Sequence, residues 1–154
     1  MPTIFEQQMR EVARSLGLRK EDFHRLDQIR EHKVLQDVKR HFLTDPEATC
    51  WWQSIRYEST CAALDQAHTR LEELCPNEGK KVWFIPCGEE MVYDAFPGDI
   101  VRVLGACPVF EYAVVDKKLR WMTLQNHRDV LYAIGAKTIA NLNRMMNNES
   151  YTSA

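Results

Sequence analysis

The densest polar chemistry in the sequence is Gln125-Asn126-His127-Arg128-Asp129, in the connection after a segment that reads as a strand. Connections of that kind often present functional groups. An imidazole beside amides and a carboxylate can take up or release a proton near neutral pH. The run also has the composition of a tight turn, because Asn and Asp bond their own backbone and His caps strand ends or faces water. The turn is the favoured reading, since the sequence ties no nucleophile and no second base to His127. Glu111 is a further polar group in a half-buried segment. Strand alternation places it with Ala113 and Val115, opposite Phe110, Tyr112 and Val114. A carboxylate buried there needs a partner, and Arg120 and His127 are the candidates. A paired structural Glu111 is expected ahead of a catalytic one. If the chain is an enzyme, its acid and base groups are His127 with Asp129 or Glu111.

The sequence holds no phosphate-cradling glycine loop, Gly-x-Ser-x-Gly elbow, His-Glu-x-x-His pair or calcium loop. Nucleotide-dependent chemistry of the common kinds is disfavoured, and no cofactor is expected. Cys61 and His68 lie seven positions apart and Cys75 seven further on, so a helix would carry all three on one face. A structural zinc site needs four converging ligands, usually drawn in pairs from tight turns. Free cysteines are also among the most buried residue types. Ordinary burial is expected here, with no metal site.

Between Lys81 and Arg102 there is no basic residue, while Glu89, Glu90, Asp94 and Asp99 all fall there. The plain reading is a solvated loop beside a strand. The sharper one is an acidic docking surface that steers a basic partner. Trp51-Trp52 is the other conspicuous pair. Adjacent helical residues point about 100° apart, so one indole should anchor the core and the other should reach the surface. Trp52 joins the acidic residues as a candidate contact, because tryptophan is enriched at binding hot spots.

The elements that would position these groups follow from spacing. Thr3 and Glu6 have the form of a capping box, and Phe5, Met9, Val12 and Leu16 make one apolar stripe that ends at Gly17. Lys20 to Leu43 reads as a bent helix or two helices, with Thr44-Asp45-Pro46 opening a short helical turn through Cys50. Ser59 to Cys75 reads as a third helix with Leu64, Ala67, Leu71 and Leu74 on one side, broken by Pro76-Asn77-Glu78-Gly79. Strands are expected at 82–85, 91–93, 110–115, 119–124 and 130–134, the third and fourth forming a hairpin about Asp116-Lys117-Lys118. Residues 100–104 read as strand or short helix, the helix being favoured, and 138–145 as a closing helix. The expected fold is α+β, with N-terminal helices on one face of a C-terminal antiparallel sheet of about five strands and a short C-terminal helix. Residues 1–146 form the single domain, and 147–154 a frayed polar tail.

Bulk properties bound the function. With 154 residues, 45% hydrophobic and 27% charged, the chain can bury a core without metals or disulfides. Lys and Arg number twelve against fourteen Asp and Glu up to Lys80, and eight against eight beyond it. No basic tail marks a nucleic-acid binder. Five widely spaced cysteines without a Cys-x-x-Cys pair read as reduced thiols. No stretch reads as a membrane span or an export signal, so a cytoplasmic protein is expected.

The stretch Phe110-Glu111-Tyr112, then Trp121, Asn126-His127-Arg128-Asp129 and Gly135, with Trp51-Trp52, resembles a pattern of small bacterial cytosolic domains. Some of these are similar to immunity proteins, which neutralise a toxin delivered by neighbouring cells. The resemblance spans about residues 80–135 and assigns no residue a role. It implies an inhibitor that binds a toxin domain by direct protein contact without turnover, and the acidic run between Lys81 and Arg102 is what would suit a basic site on that partner. The interface expected from the residues is Glu89, Glu90, Asp94 and Asp99 with Trp52.

Overall fold

The computed structural model describes residues 3–76, 79–107 and 111–152. Helix α1 spans Ile4–Ser15, and the Thr3 hydroxyl accepts the Glu6 backbone N–H at 3.1 Å. Glu6 does not reach back to close the capping box. Its carboxylate pairs instead with Arg10 at 3.2 Å and Arg25 at 2.9 Å. Gly17 then takes φ +72°, as a helix-ending glycine does.

The charged stretch expected as one bent helix or two is a strand followed by a helix. Strand β1 is Phe23–Arg25 and helix α2 is Gln28–Phe42. The Asp27 carboxylate accepts the Arg30 N–H at 3.0 Å and so starts α2 there. The shift in the apolar stripe has the same cause. Ile29 is 85% exposed, while Leu35, Val38 and Phe42 carry the buried face. After α2, Thr44 to Cys50 makes a turn in which Asp45 accepts the Glu47 and Ala48 N–H groups, and a single 3-10 turn follows at Trp51–Gln53.

The third expected helix is also mostly something else. Strand β2 is Ser59–Ala63, a 3-10 turn occupies Ala67–Arg70, and helix α3 is only Leu71–Leu74. Leu64, Ala67, Leu71 and Leu74 are all buried as their spacing suggested, but Gln66 at φ +53° interrupts the run. The remaining elements are β3 (Val82–Pro86), β4 (Tyr93–Ala95), α4 (Pro97–Ala106), β5 (Tyr112–Val115), β6 (Met122–Gln125), β7 (Val130–Ile134) and α5 (Ala136–Thr152). Helix α5 continues through Thr152, so the segment expected to fray from 147 is helical up to that residue.

All seven strands form one antiparallel sheet in the order β1-β4-β3-β5-β6-β7-β2. The count exceeds the expected five because the spacing of residues in both edge strands reads as helix. Strand β2 alternates between exposed and half-buried positions and lacks the apolar run of a central strand.

The helices do not share one face. Register places Trp83, Ile85, Ala113, Val115, Met122, Leu124 and Ile134 on the side where Leu35, Val38 and Phe42 of α2 pack. The opposite side carries Phe84, Tyr93, Tyr112 and Val114 against Met9 of α1 and Ile100 and Val103 of α4. It continues through Leu131 and Ala133 to Leu142 and Met145 of α5. Cover on both faces explains why β3 and β5 are buried at every position.

One carboxylate joins the two sides. Glu31 of α2 is 4% exposed and receives Arg25 through Nε at 2.9 Å and Nη2 at 2.8 Å. It also accepts the Val92 N–H at 2.9 Å, while Arg25 reaches across to Glu6 of α1. Glu31→Ala should lower stability by about 2–3 kcal/mol in urea unfolding, because it leaves Arg25 with Glu6 as its remaining carboxylate and a buried N–H without an acceptor. Glu31→Gln, which keeps an acceptor, should lose less.

Gly135 supplies a second check. It has φ +102°, and a Cβ there would lie 2.7 Å from the Arg120 carbonyl oxygen and 2.8 Å from Trp121 Cβ. Gly135→Ala should cost about 2–3 kcal/mol by the same measurement. Gly105→Ala, where an added Cβ meets nothing within 4 Å inside α4, should instead raise stability by up to about 1 kcal/mol.

Candidate functional site

The β6–β7 hairpin builds the loop that carries His127. Asn126 is buried, and its Oδ1 accepts the backbone N–H groups of Arg128 at 2.9 Å and Val130 at 3.2 Å. Asp129 closes the turn at φ +59°, and its carboxylate takes the Gln125 side-chain amide at 3.1 Å. The Gln125 carbonyl in turn accepts the Tyr112 hydroxyl. Tyr112, Gln125, Asn126 and Asp129 thus hold the hairpin together, as the turn reading expects. His127 is the side chain they lift outward, 52% exposed.

Glu111 meets it just before β5. Its backbone carbonyl accepts the Cys87 N–H at 3.0 Å, which pins it to the end of β3. Its Oε2 accepts the Trp52 indole N–H at 3.1 Å and lies 3.0 Å from His127 Nδ1. An ionised carboxylate only accepts, so in this contact the imidazole Nδ1 is the donor. The Trp52 ring lies 6.3 Å from the imidazole and 6.4 Å from Tyr132, stacked at 29° on the latter. Trp51 is buried and Trp52 half-buried, the division expected of adjacent residues.

The structure therefore brings Glu111, His127 and Trp52 together and draws Asp129 away toward Gln125. Of the two candidate partners for Glu111, His127 is the one used. Arg120 pairs with Asp116 at 2.6 Å. Cys87 lies in the same neighbourhood, but burial first, and then Glu111 and Cys50, push its thiol up to about 12. It stays protonated at neutral pH and is a poor nucleophile. Sequence reasoning missed Tyr132, which strand pairing of Leu124 with Tyr132 brings beneath Trp52. It also missed the indole as a donor, since no local spacing links residues 52 and 111.

The acidic segment is not the bare negative surface that its composition suggests. Asp94 is buried between Lys117 at 2.7 Å and Lys81 at 3.3 Å, with Lys117 also 4.4 Å above the Trp83 ring. Glu90 pairs with Lys39 at 3.2 Å, and Asp99 faces Arg102 at 3.5 Å. Glu89 is exposed. Cations thus answer three of these four carboxylates, Glu90 and Asp94 from places distant in sequence and Asp99 from its own helix. The cysteine and histidine trio is also dispersed: Cys61 is on strand β2, His68 in a 3-10 turn, and Cys75 buried after α3. Among the described residues, no three His, Cys, Asp or Glu side chains gather as metal ligands would.

These features define an α+β protein with a polar-aromatic cluster exposed at the ends of its central strands. The chain belongs to a family of unknown function (DUF6756), whose model matches residues 2–146. Neither the curated proteins nor the solved structures contain a match to it. Among the described residues no helix is long and apolar enough to cross a membrane.

The Asp94 pairing has a consequence in acid. Burial works to raise its pKa, but Lys117 and Lys81 outweigh burial and hold it below the usual carboxylate value of about 3.9. A depressed folded-state pKa contributes stability that is complete above the unfolded value and is lost as pH falls through the folded one. Stability of the wild-type chain should therefore drop below about pH 4, and Asp94→Asn should show a shallower drop there. Urea midpoints recorded against pH check this.

Proposed function

We propose that the chain is a cytosolic binding protein of immunity type, which neutralises a bacterial toxin domain by direct contact. The contact is centred on Trp52, Glu111 and His127. The observation that carries this reading is the shared Glu111 oxygen. An indole N–H and an imidazole fix a part-exposed carboxylate beside a stacked tyrosine. Aromatic anchors around a pre-oriented polar group are the usual composition of a binding hot spot. The surrounding motif residues, Tyr112, Asn126, Asp129 and Gly135, are already occupied with folding. Glu89 and Glu90 would lie at the rim, where charge alters encounter more than affinity.

The test is co-expression with toxin domains encoded beside the gene, followed by measurement of the purified complex. Wild type should restore growth and form a stoichiometric complex. Trp52→Ala and Glu111→Arg should each weaken affinity at least about thirtyfold; Trp52 also packs on the core, so Trp52→Ala lowers the melting temperature as well, and the affinities are compared at a temperature where both variants are folded. Glu89→Lys should act chiefly on the association rate. Absence of any complex with a well-folded chain would overturn the reading.

The 3.0 Å contact between His127 and Glu111 also favours a second reading, a small enzyme. Glu111 would hold the imidazole in the tautomer that leaves Nε2 as a base. Under that reading His127→Asn abolishes turnover of a small substrate, whereas Trp52→Phe changes it little.

A further inference from the structure

At the β1 edge of the sheet, α1, β1 and the start of α2 line a groove of about 1170 Å³. Met9, Phe23, Leu26 and Tyr93, all buried, form its floor. Five cationic side chains line it, Arg10, Arg14, Lys20, Arg25 and Arg30, against the carboxylates of Glu6 and Asp27. Part of this charge is satisfied within the fold. Arg10 and Arg25 pair with Glu6, Arg25 also with Glu31, and Asp27 caps α2. Among the described residues, the Arg14, Lys20 and Arg30 side chains have no carboxylate within ion-pair distance. They come from α1, from the connection and from α2, so the uncompensated charge stands on more than one wall.

The backbone of β1 adds a second feature. It is the edge strand, and the Leu26 N–H points inward to the Val92 carbonyl at 2.9 Å. Strand parity turns His24 the same way and directs the Arg25 N–H and C=O toward the open side. That edge borders the groove.

We propose that this groove binds an acidic peptide segment of a partner protein, laid along β1 as an added strand. The free edge at Arg25 hydrogen-bonds the peptide backbone. Alternate side chains divide between the apolar floor and the unpaired cations, which receive carboxylates. A small inorganic anion would use the charge but neither the edge nor the floor. The site does not depend on the Trp52 surface, so the two can fail separately.

Panning a displayed dodecapeptide library against the full chain tests the proposal. Enriched peptides should alternate Asp or Glu with apolar residues. The best of them, labelled with a fluorophore, should bind at least about tenfold more weakly to the Arg14→Glu/Arg30→Glu double variant. It should also weaken in salt above the physiological range. Both substituted side chains are exposed, and an unchanged melting temperature establishes that the variant is folded. The Arg25 amide should gain protection from hydrogen exchange on binding, and Trp52→Ala should leave peptide affinity unchanged. Enrichment without acidic bias, affinity indifferent to the charge reversal, or binding of inorganic phosphate or single-stranded DNA in place of peptide would each overturn it.

Discussion

A carboxylate removed from water is tolerable only when its oxygens are fully engaged, and Glu31 is engaged by a guanidinium and a backbone N–H. That requirement organises one end of the molecule. Arg25 cannot serve Glu31 unless β1 runs beside β4, and Val92 cannot donate unless α2 lies across that pair. Glu6 then fastens α1 to the same arginine. The edge strand, both helices that flank it and the groove between them are held by a single small network. Its exclusion from water comes from the packed faces on either side of the sheet.

Where the sequence was legible, burial had left a periodic trace. The stripe of α1, the continuous apolar run of β3, the β5–β6 hairpin and the end of β7 at Gly135 could all be seen from spacing or turn chemistry. The edge strands could not, for a physical reason. Phe23–Arg25 offers one deeply buried side chain among charged neighbours, and Ser59–Ala63 offers none. Such segments are strands only because a neighbour supplies the other half of their hydrogen bonds. Nothing local distinguishes them from an amphipathic helix. The same limit produced the expectation that all helices share a face, since one apolar stripe does not reveal which side of a sheet it meets.

The candidate site was legible in its members but not in its assembly. His127 and Glu111 were both visible as polar groups in apolar surroundings, and Trp52 as the outer of two indoles. Their union depends on the pairing of β5 with β6 and on the short connection that returns from α2, neither of which spacing can report. The acidic segment failed in the opposite direction. Charges clustered in sequence are partly neutralised in space because Lys39, Lys81 and Lys117 arrive from three other places. Local composition counts charges, whereas a field depends on where their counterions are.

The strand order also bears on how the chain reaches this state. Neighbouring hairpins build β3-β4, β5-β6 and β6-β7 from segments close in sequence. Each outer strand must instead wait for a distant partner: Phe23 finds Ala95, and Ser59 finds Ile134. Closing such long loops is entropically costly before any contact rewards it. The middle of the sheet is thus the natural nucleus, and its two margins are the last parts to zip and the first to open. The groove beside β1 belongs to one of those margins, so the strand that borders it opens more readily than the core behind it.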